Sequence, residues 1–339
     1  MKLTTLLIIV TIVAFKAEAQ DPVFSQFYNA PVYLNPALVG DEDEMLVNFN
    51  YRSQWSALHK PYSTAQTSFI YPFYRDIDKQ PVSQLGGLGI SIFNDVAGVN
   101  REFRTTGGSA SFAYNLPLDR QNQISFGIKT SIINVRIDGS DSQWGSGYVP
   151  GVGYNPGDNP VEQNFENKTV LSLTPGAFWR YRNNNTSDLI QTAFSGLAVE
   201  HLNAPNAANL DGQTDRMPLV YKYHGGMVFG ISEQFNLSAN VLTLFTDRLN
   251  QTNVGAFLSY LLASQGQGLL SNSILRLGTW HRWDDSFILS TEFVTNRFQV
   301  GFSYDWNVTS LNNFQSGVGA YEVSLGLRFN RIAPPKVRY

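Results

Sequence analysis

Phe298–Trp306 reads FQVGFSYDW, and Tyr321–Phe329 reads YEVSLGLRF. In the first stretch Phe298, Val300, Phe302, Tyr304 and Trp306 fall on one face of an extended chain, and Gln299, Gly301, Ser303 and Asp305 fall on the other. In the second, Tyr321, Val323, Leu325, Leu327 and Phe329 oppose Glu322, Ser324, Gly326 and Arg328. A soluble sandwich also alternates this way. Two features favour a transmembrane barrel instead: segments of about ten residues, and apolar faces that end in Tyr, Trp or Phe as interfacial girdles do.

The rest of the chain repeats the pattern. Similar segments span residues 45–54, 65–74, 86–94, 104–116, 122–136, 169–182 and 189–200. They continue at 219–232, 234–245, 252–262, 273–282, 286–295, 297–306 and 318–330. This makes about fourteen antiparallel strands, an even number, as a closed bacterial barrel requires. Composition agrees: aromatics are 13% and glycines number 28, while charged residues are 15%, against roughly 25% in soluble domains. No segment after the first reaches about eighteen uninterrupted apolar residues, so helical spans are not expected.

The first nineteen residues read as a signal peptide. Lys2 supplies the positive end, Leu3–Phe15 the apolar run and Ala17–Ala19 a small-x-small cleavage site. A membrane anchor is the weaker reading, because the run is short and Lys16 interrupts it. The expected organisation is a signal peptide at 1–19, an irregular segment at 20–44, a barrel at 45–330 and a tail at 331–339. The longest connections, 137–168, 201–218 and 307–317, follow odd-numbered strands. Short ones follow most even-numbered strands, so the first strand is expected to run outward with both termini in the periplasm.

Chemistry is sparse. A formal charge of −3 gives no support for nucleic-acid binding, and the absence of cysteine excludes disulfides and thiolate chemistry. His59, His201, His224 and His281 are scattered, with no metal-ligand spacing. No nucleophile elbow or phosphate loop occurs, and the glycine-rich Gly145–Gly153 has no helix after it. The charges expected in the lumen are Arg180, Arg182, Arg276, Arg282, Glu292, Asp305, Glu322 and Arg328, while Lys129 does not fall clearly on that face. Charges pairing across a wet lumen explain them better than acid–base catalysis does. No enzyme activity, cofactor or metal is expected.

Gln20–Gly40 has neither a helical nor a strand period. With Asn48–Trp55 (NFNYRSQW), the stretch Asp21–Gly40 (DPVFSQFYNAPVYLNPALVG) resembles the start of the PorP/SprF family, outer-membrane proteins of the type IX secretion and gliding systems of Bacteroidetes. Further blocks appear in the family's order. They are NDVAG (Asn94–Gly98), FRTT (Phe103–Thr106), ISFGIK (Ile124–Lys129), GLAVEHLNAPN (Gly196–Asn206), LGTWHR (Leu277–Arg282), GFSYDW (Gly301–Trp306) and AYEVSLGLRF (Ala320–Phe329). Proline often follows the Gln-Trp pair in the family; Ser56 stands there in this chain.

The resemblance implies a protein of the Gram-negative outer membrane that assists export or surface anchoring of large cargo such as adhesins. Its implied partners are the cargo's C-terminal sorting domain, the periplasmic ring or motor-side components, and membrane lipid. The residues matching the N-terminal motif are Phe24, Tyr28, Asn35, Pro36, Arg52, Gln54 and Trp55. They are expected to form a partial plug or docking surface at or inside the periplasmic mouth, with Arg52 pointing into the lumen. Irregular backbone of this kind cannot face lipid. A disordered leader is the alternative, although the stretch is aromatic for disorder. Trp144, Tyr148 and Tyr154 in the longest loop are candidate cargo contacts, against a plain flexible loop. The alternative function is a passive porin for small solutes; an outer-membrane hydrolase has no supporting motif.

Overall fold

A computed structural model describes residues 23–55, 62–75, 83–98, 101–139, 148–154, 165–183, 185, 188–210, 212–247, 250–263, 273–308 and 318–329. The expected signal peptide and tail, and Trp144, lie outside the described residues. Alternation in the sequence becomes strand after strand. The first five are β1 (Met45–Gln54), β2 (Tyr62–Arg75), β3 (Ser83–Ala97), β4 (Phe103–Pro117) and β5 (Asn122–Ile137). A small hairpin follows, β6 (Tyr148–Val149) with β7 (Gly153–Tyr154). Then come β8 (Lys168–Arg182), β9 (Ile190–Glu200), β10 (Val220–Gly230), β11 (Phe235–Phe245) and β12 (Asn250–Ala263). The last four are β13 (Ser273–Arg282), β14 (Ser286–Val294), β15 (Phe298–Asn307) and β16 (Val318–Phe329).

All but β6 and β7 join one closed antiparallel barrel of fourteen strands. Its seam pairs β1 with β16, from Met45 opposite Phe329 to Gln54 opposite Ala320. Closure satisfies every sheet edge, as a bilayer demands. No helix among the described residues is long and apolar enough to cross a membrane.

Register puts apolar side chains outside and polar ones inside, the reverse of a soluble protein. Val300, Phe302 and Trp306 are exposed, while Ser303 and Asp305 between them are buried. Ile90 and Ile92 are 58% and 66% exposed and belong to the same outer band as Ile128, Ile132 and Leu171. Aromatic pairs mark its two borders. Tyr304 meets Trp306 at 4.6 Å toward one end, and Phe235 meets Tyr260 at 4.8 Å toward the other.

Met45, Phe329 and the short connections 118–121, 231–234 and 295–297 share one mouth, called near here. The connections 138–167, 201–219 and 308–317 leave from the far mouth. Residues 23–40 lie inside the lumen as three short helical turns: Phe27–Asn29, α1 (Pro31–Leu34) and Pro36–Gly40. Pro31 and Pro36 each open a turn, where a missing N–H costs nothing. The segment is not confined to the near mouth, as the sequence suggested. Gly40 sits beside Asn115 near the end of β4, whereas Ser25 reaches Asp305 close to the far end of β15. Val23 therefore lies toward the far end of the lumen, while Phe329 ends at the near mouth.

Candidate functional site

The segment from Val23 to Gly40 carries no charged side chain. The barrel wall around it carries many, and three zones of contact follow from that difference.

At the far end, Ser25 and Gln26 have buried backbone N–H groups with no helix to satisfy them. Glu322 of β16 accepts both, Ser25 N at 2.8 Å and Gln26 N at 3.0 Å. Asp305 Oδ2 accepts the Ser25 hydroxyl at 2.7 Å. Arg52 Nη2 lies 2.9 Å from Asp305, and its Nη1 lies 3.4 Å from Glu322 and also donates to Ser25 Oγ. Arg282 reaches the same Asp305 at 3.2 Å and Ser25 Oγ at 2.8 Å. Arg52, Asp305 and Glu322 are all buried. One turn on, Asn29 Nδ2 donates to Glu292 Oε1 at 2.7 Å, and Asn50 Nδ2 donates to the Asn29 carbonyl at 3.0 Å.

The middle zone is aromatic and cationic. Tyr28 stacks on Trp280 at 5.5 Å and meets Phe257 edge-on at 4.9 Å; Phe27 packs in the same cluster with Leu242, Leu244 and Ile288. Burying each such side chain contributes about 1.5–3 kcal/mol. Phe24 meets Tyr33 edge-on at 5.5 Å. Lys222 lies over the Tyr33 ring at 4.0 Å and donates to its carbonyl at 3.2 Å. Glu200 binds both Lys222 and Lys129, the latter at 2.6 Å.

Lys129 is thus a lumen residue, a correction to the sequence reading. Strand β5 turns Ser125, Lys129, Ser131 and Ile133 inward. The apolar Ile133 on that face is what hid the alternation. Lys222 and Glu200 were not singled out in the sequence, and His224 stood there only as one of four scattered histidines: no motif marks a residue whose only distinction is which way it faces.

Toward the near mouth Asn35 does two jobs. Its Oδ1 caps the last turn by accepting from Ala37 N at 2.9 Å. Its Nδ2 donates to the carbonyls of Ala177 at 3.0 Å and Leu197 at 3.3 Å, and lies 3.1 Å from His224 Nε2. The segment lies flush on the wall there. A Cβ at Gly127 would strike the backbone of Pro36 and Ala37, and one at Gly176 would strike Asn35 Oδ1 and the Pro36 ring. Below, Asp41 pairs with Arg180, and Asp43 with Arg182 at 3.2 Å. Burial raises the Asp41 carboxyl above its ordinary value, and Arg180 pulls it back down.

Of the residues singled out in the sequence, Phe24, Tyr28, Asn35, Pro36 and Arg52 converge on this one interface. Gln54 joins through Arg52: with its amide oxygen toward the guanidinium, it accepts from Nη2 at 2.9 Å and Nε at 3.0 Å. Trp55 does not join. It sits at the far rim with φ 53°, donates to the Gly319 carbonyl at 2.8 Å and packs on Tyr62. The expected lumen charges Arg276 and Arg328 bind Glu292 and Gln299 on the wall. Tyr148 is exposed, and its backbone pairs with that of Tyr154 in the β6–β7 hairpin. Among the described residues no three His, Asp or Glu side chains are grouped to hold a metal.

Several solved outer-membrane barrels are similar in outline. The toluene transporter TbuX of Ralstonia pickettii is 11% identical, with a TM-score of 0.49 over 89% of this chain and 94% of that one. The CymD monoaromatic hydrocarbon channel is 12% identical, with a TM-score of 0.49 over 89% and 93%. A Pseudomonas aeruginosa FadL homologue is 11% identical, with a TM-score of 0.46 over 87% and 93%. Likenesses this loose carry no argument about activity. A search of curated proteins finds no match. A family model, by contrast, matches residues 16–327, taking in both the lumenal segment and the barrel that holds it. The chain belongs to the type IX secretion system membrane protein family PorP/SprF.

Proposed function

We propose that this outer-membrane barrel serves type IX secretion without catalysis. It binds the C-terminal sorting domain of a large secreted cargo at its long-loop mouth and so assists the cargo's export or surface anchoring. On this reading the far mouth faces outward, and the near mouth, with its short turns, faces periplasmic ring or motor-side components. The carrying observation is the filled lumen. The wall residues Arg52, Lys129, Lys222, Asp305 and Glu322 are all buried under residues 23–40. A passive porin needs an aqueous path, and this segment occupies the place of one. Membership of a secretion family supplies the process.

Purification of the tagged protein from native outer membranes in mild detergent, with mass spectrometry of what accompanies it, tests the reading. Co-purification of a large surface protein bearing a C-terminal sorting domain is expected. Recovery of the barrel alone, with continuous conductance on reconstitution, turns the reading to the porin.

A further inference from the structure

We infer that residues 23–40 form a reversible gate, and that the barrel becomes a water-filled conduit when the segment withdraws through the near mouth. The inference rests on how charge is divided between segment and wall. Among the described residues, each buried carboxylate of the wall around the segment has a cation on the wall itself. Asp305 has Arg52 and Arg282; Glu322 has Arg52; Glu292 has Arg276; Glu200 has Lys129 and Lys222. The segment adds no charge to any of them. Breaking a buried ion pair is costly because a charge is left without a partner. Withdrawal of a neutral segment strands none: the pairs stay closed and water replaces the neutral hydrogen-bonding groups.

The backbone tells the same story. Among the described residues, the backbone–backbone hydrogen bonds of 23–40 close turns within the segment, and its bonds to the wall run through side chains. The barrel's fourteen ladders close without it, so leaving costs no sheet pairing. Geometry sets the direction. The leading end lies at the far mouth and is not tied into a strand, whereas Asp41 and Asp43 tether the other end to Arg180 and Arg182 at the near mouth. Past the segment, charge enters the chain from Asp41 onward. A barrel of fourteen strands is wider than the eight-stranded kind that side chains alone can fill, so an emptied lumen holds water.

A disulfide lock tests the gate, and the cysteine-free chain allows it cleanly. A Cβ at Gly89 would lie 3.5 Å from Val39 Cβ, within the range of about 3.5–4.5 Å that a disulfide spans. Val39 belongs to the part of the segment that must leave the wall. In planar bilayers the wild-type barrel is expected to show brief, intermittent openings. The V39C/G89C variant should lose them when oxidised and regain them on reduction, and a barrel lacking residues 23–40 should conduct continuously. The gate is overturned by a wild-type barrel that never opens, by openings that persist under the oxidised lock, or by a folded deletion variant that stays silent. If the deletion variant does not fold, the lock comparison decides alone.

Discussion

Arg52 shows how much one side chain organises. It holds Asp305 and Glu322 in the geometry that accepts Ser25 and Gln26, and it orders Gln54 behind them. Arg52→Ala leaves Glu322 buried without its cation, a loss of about 3–5 kcal/mol for a broken buried pair. The expected result is a folded barrel in which protease reaches residues 23–40, with Arg52→Met/Glu322→Gln restoring part of the protection. Unchanged protease access in Arg52→Ala would count against this role. Glu42, in the link between segment and β1, behaves differently. Burial pushes its carboxyl up from 4.5 to about 7, with Arg328 opposing. The seated link therefore holds the proton more tightly than the unfolded chain does. Its contribution is complete below about pH 4.5, and it is lost as pH rises through 7. Protease protection of the segment should fall between these limits, and Glu42→Gln should flatten the profile.

At the scale of elements, the wall and the segment were unequally legible. Strands such as Phe298–Asn307 announce themselves, because a bilayer outside and polar contacts inside force a period of two. That period located all fourteen barrel strands within a few residues. The segment carries no such rule. Its partners are fixed by pairs as distant as Ser25 and Asp305, 280 residues apart, and nothing local in Ser25 marks it as the group that Arg52 and Arg282 share. Aromatic content hinted that the stretch packs, but its depth in the lumen depends on which wall positions are glycine, and that needs the closed barrel. Gly176→Val makes the dependence measurable. The change suits a strand, yet its side chain collides with Asn35 and Pro36. The barrel should keep its heat-modifiable migration on gels while chymotrypsin gains access to Phe24, Phe27 and Tyr28. Continued protection would show that the segment is seated without this close approach.

For the whole molecule, the consequence is topological. The described N-terminal end shares a mouth with the three long connections, and the described C-terminal end does not. An epitope placed ahead of Val23 should therefore be reached by the same externally added protease that cuts an epitope in the 138–167 connection. One placed in the 118–121 turn should need lysed cells. Opposite accessibility of the first two epitopes would overturn this placement. Strand parity locates only the end of β16 and the start of β1, and leaves the course of the segment ahead of β1 open. The eighteen residues from Val23 to Gly40 then run the length of the lumen unseen by any count of strands.

The partners of this leading stretch also set a timetable for biogenesis. Phe27 and Tyr28 need Leu242, Phe257, Trp280 and Ile288, and Ser25 and Gln26 need Asp305 and Glu322. These wall positions all come from the last third of the chain. A nascent or truncated product that lacks its final strands has nowhere to hide Phe27 and Tyr28. The leading residues of the described chain are thus the last to find shelter. Their exposure distinguishes an unfinished barrel from a finished one, in a form that a periplasmic protease or chaperone can read.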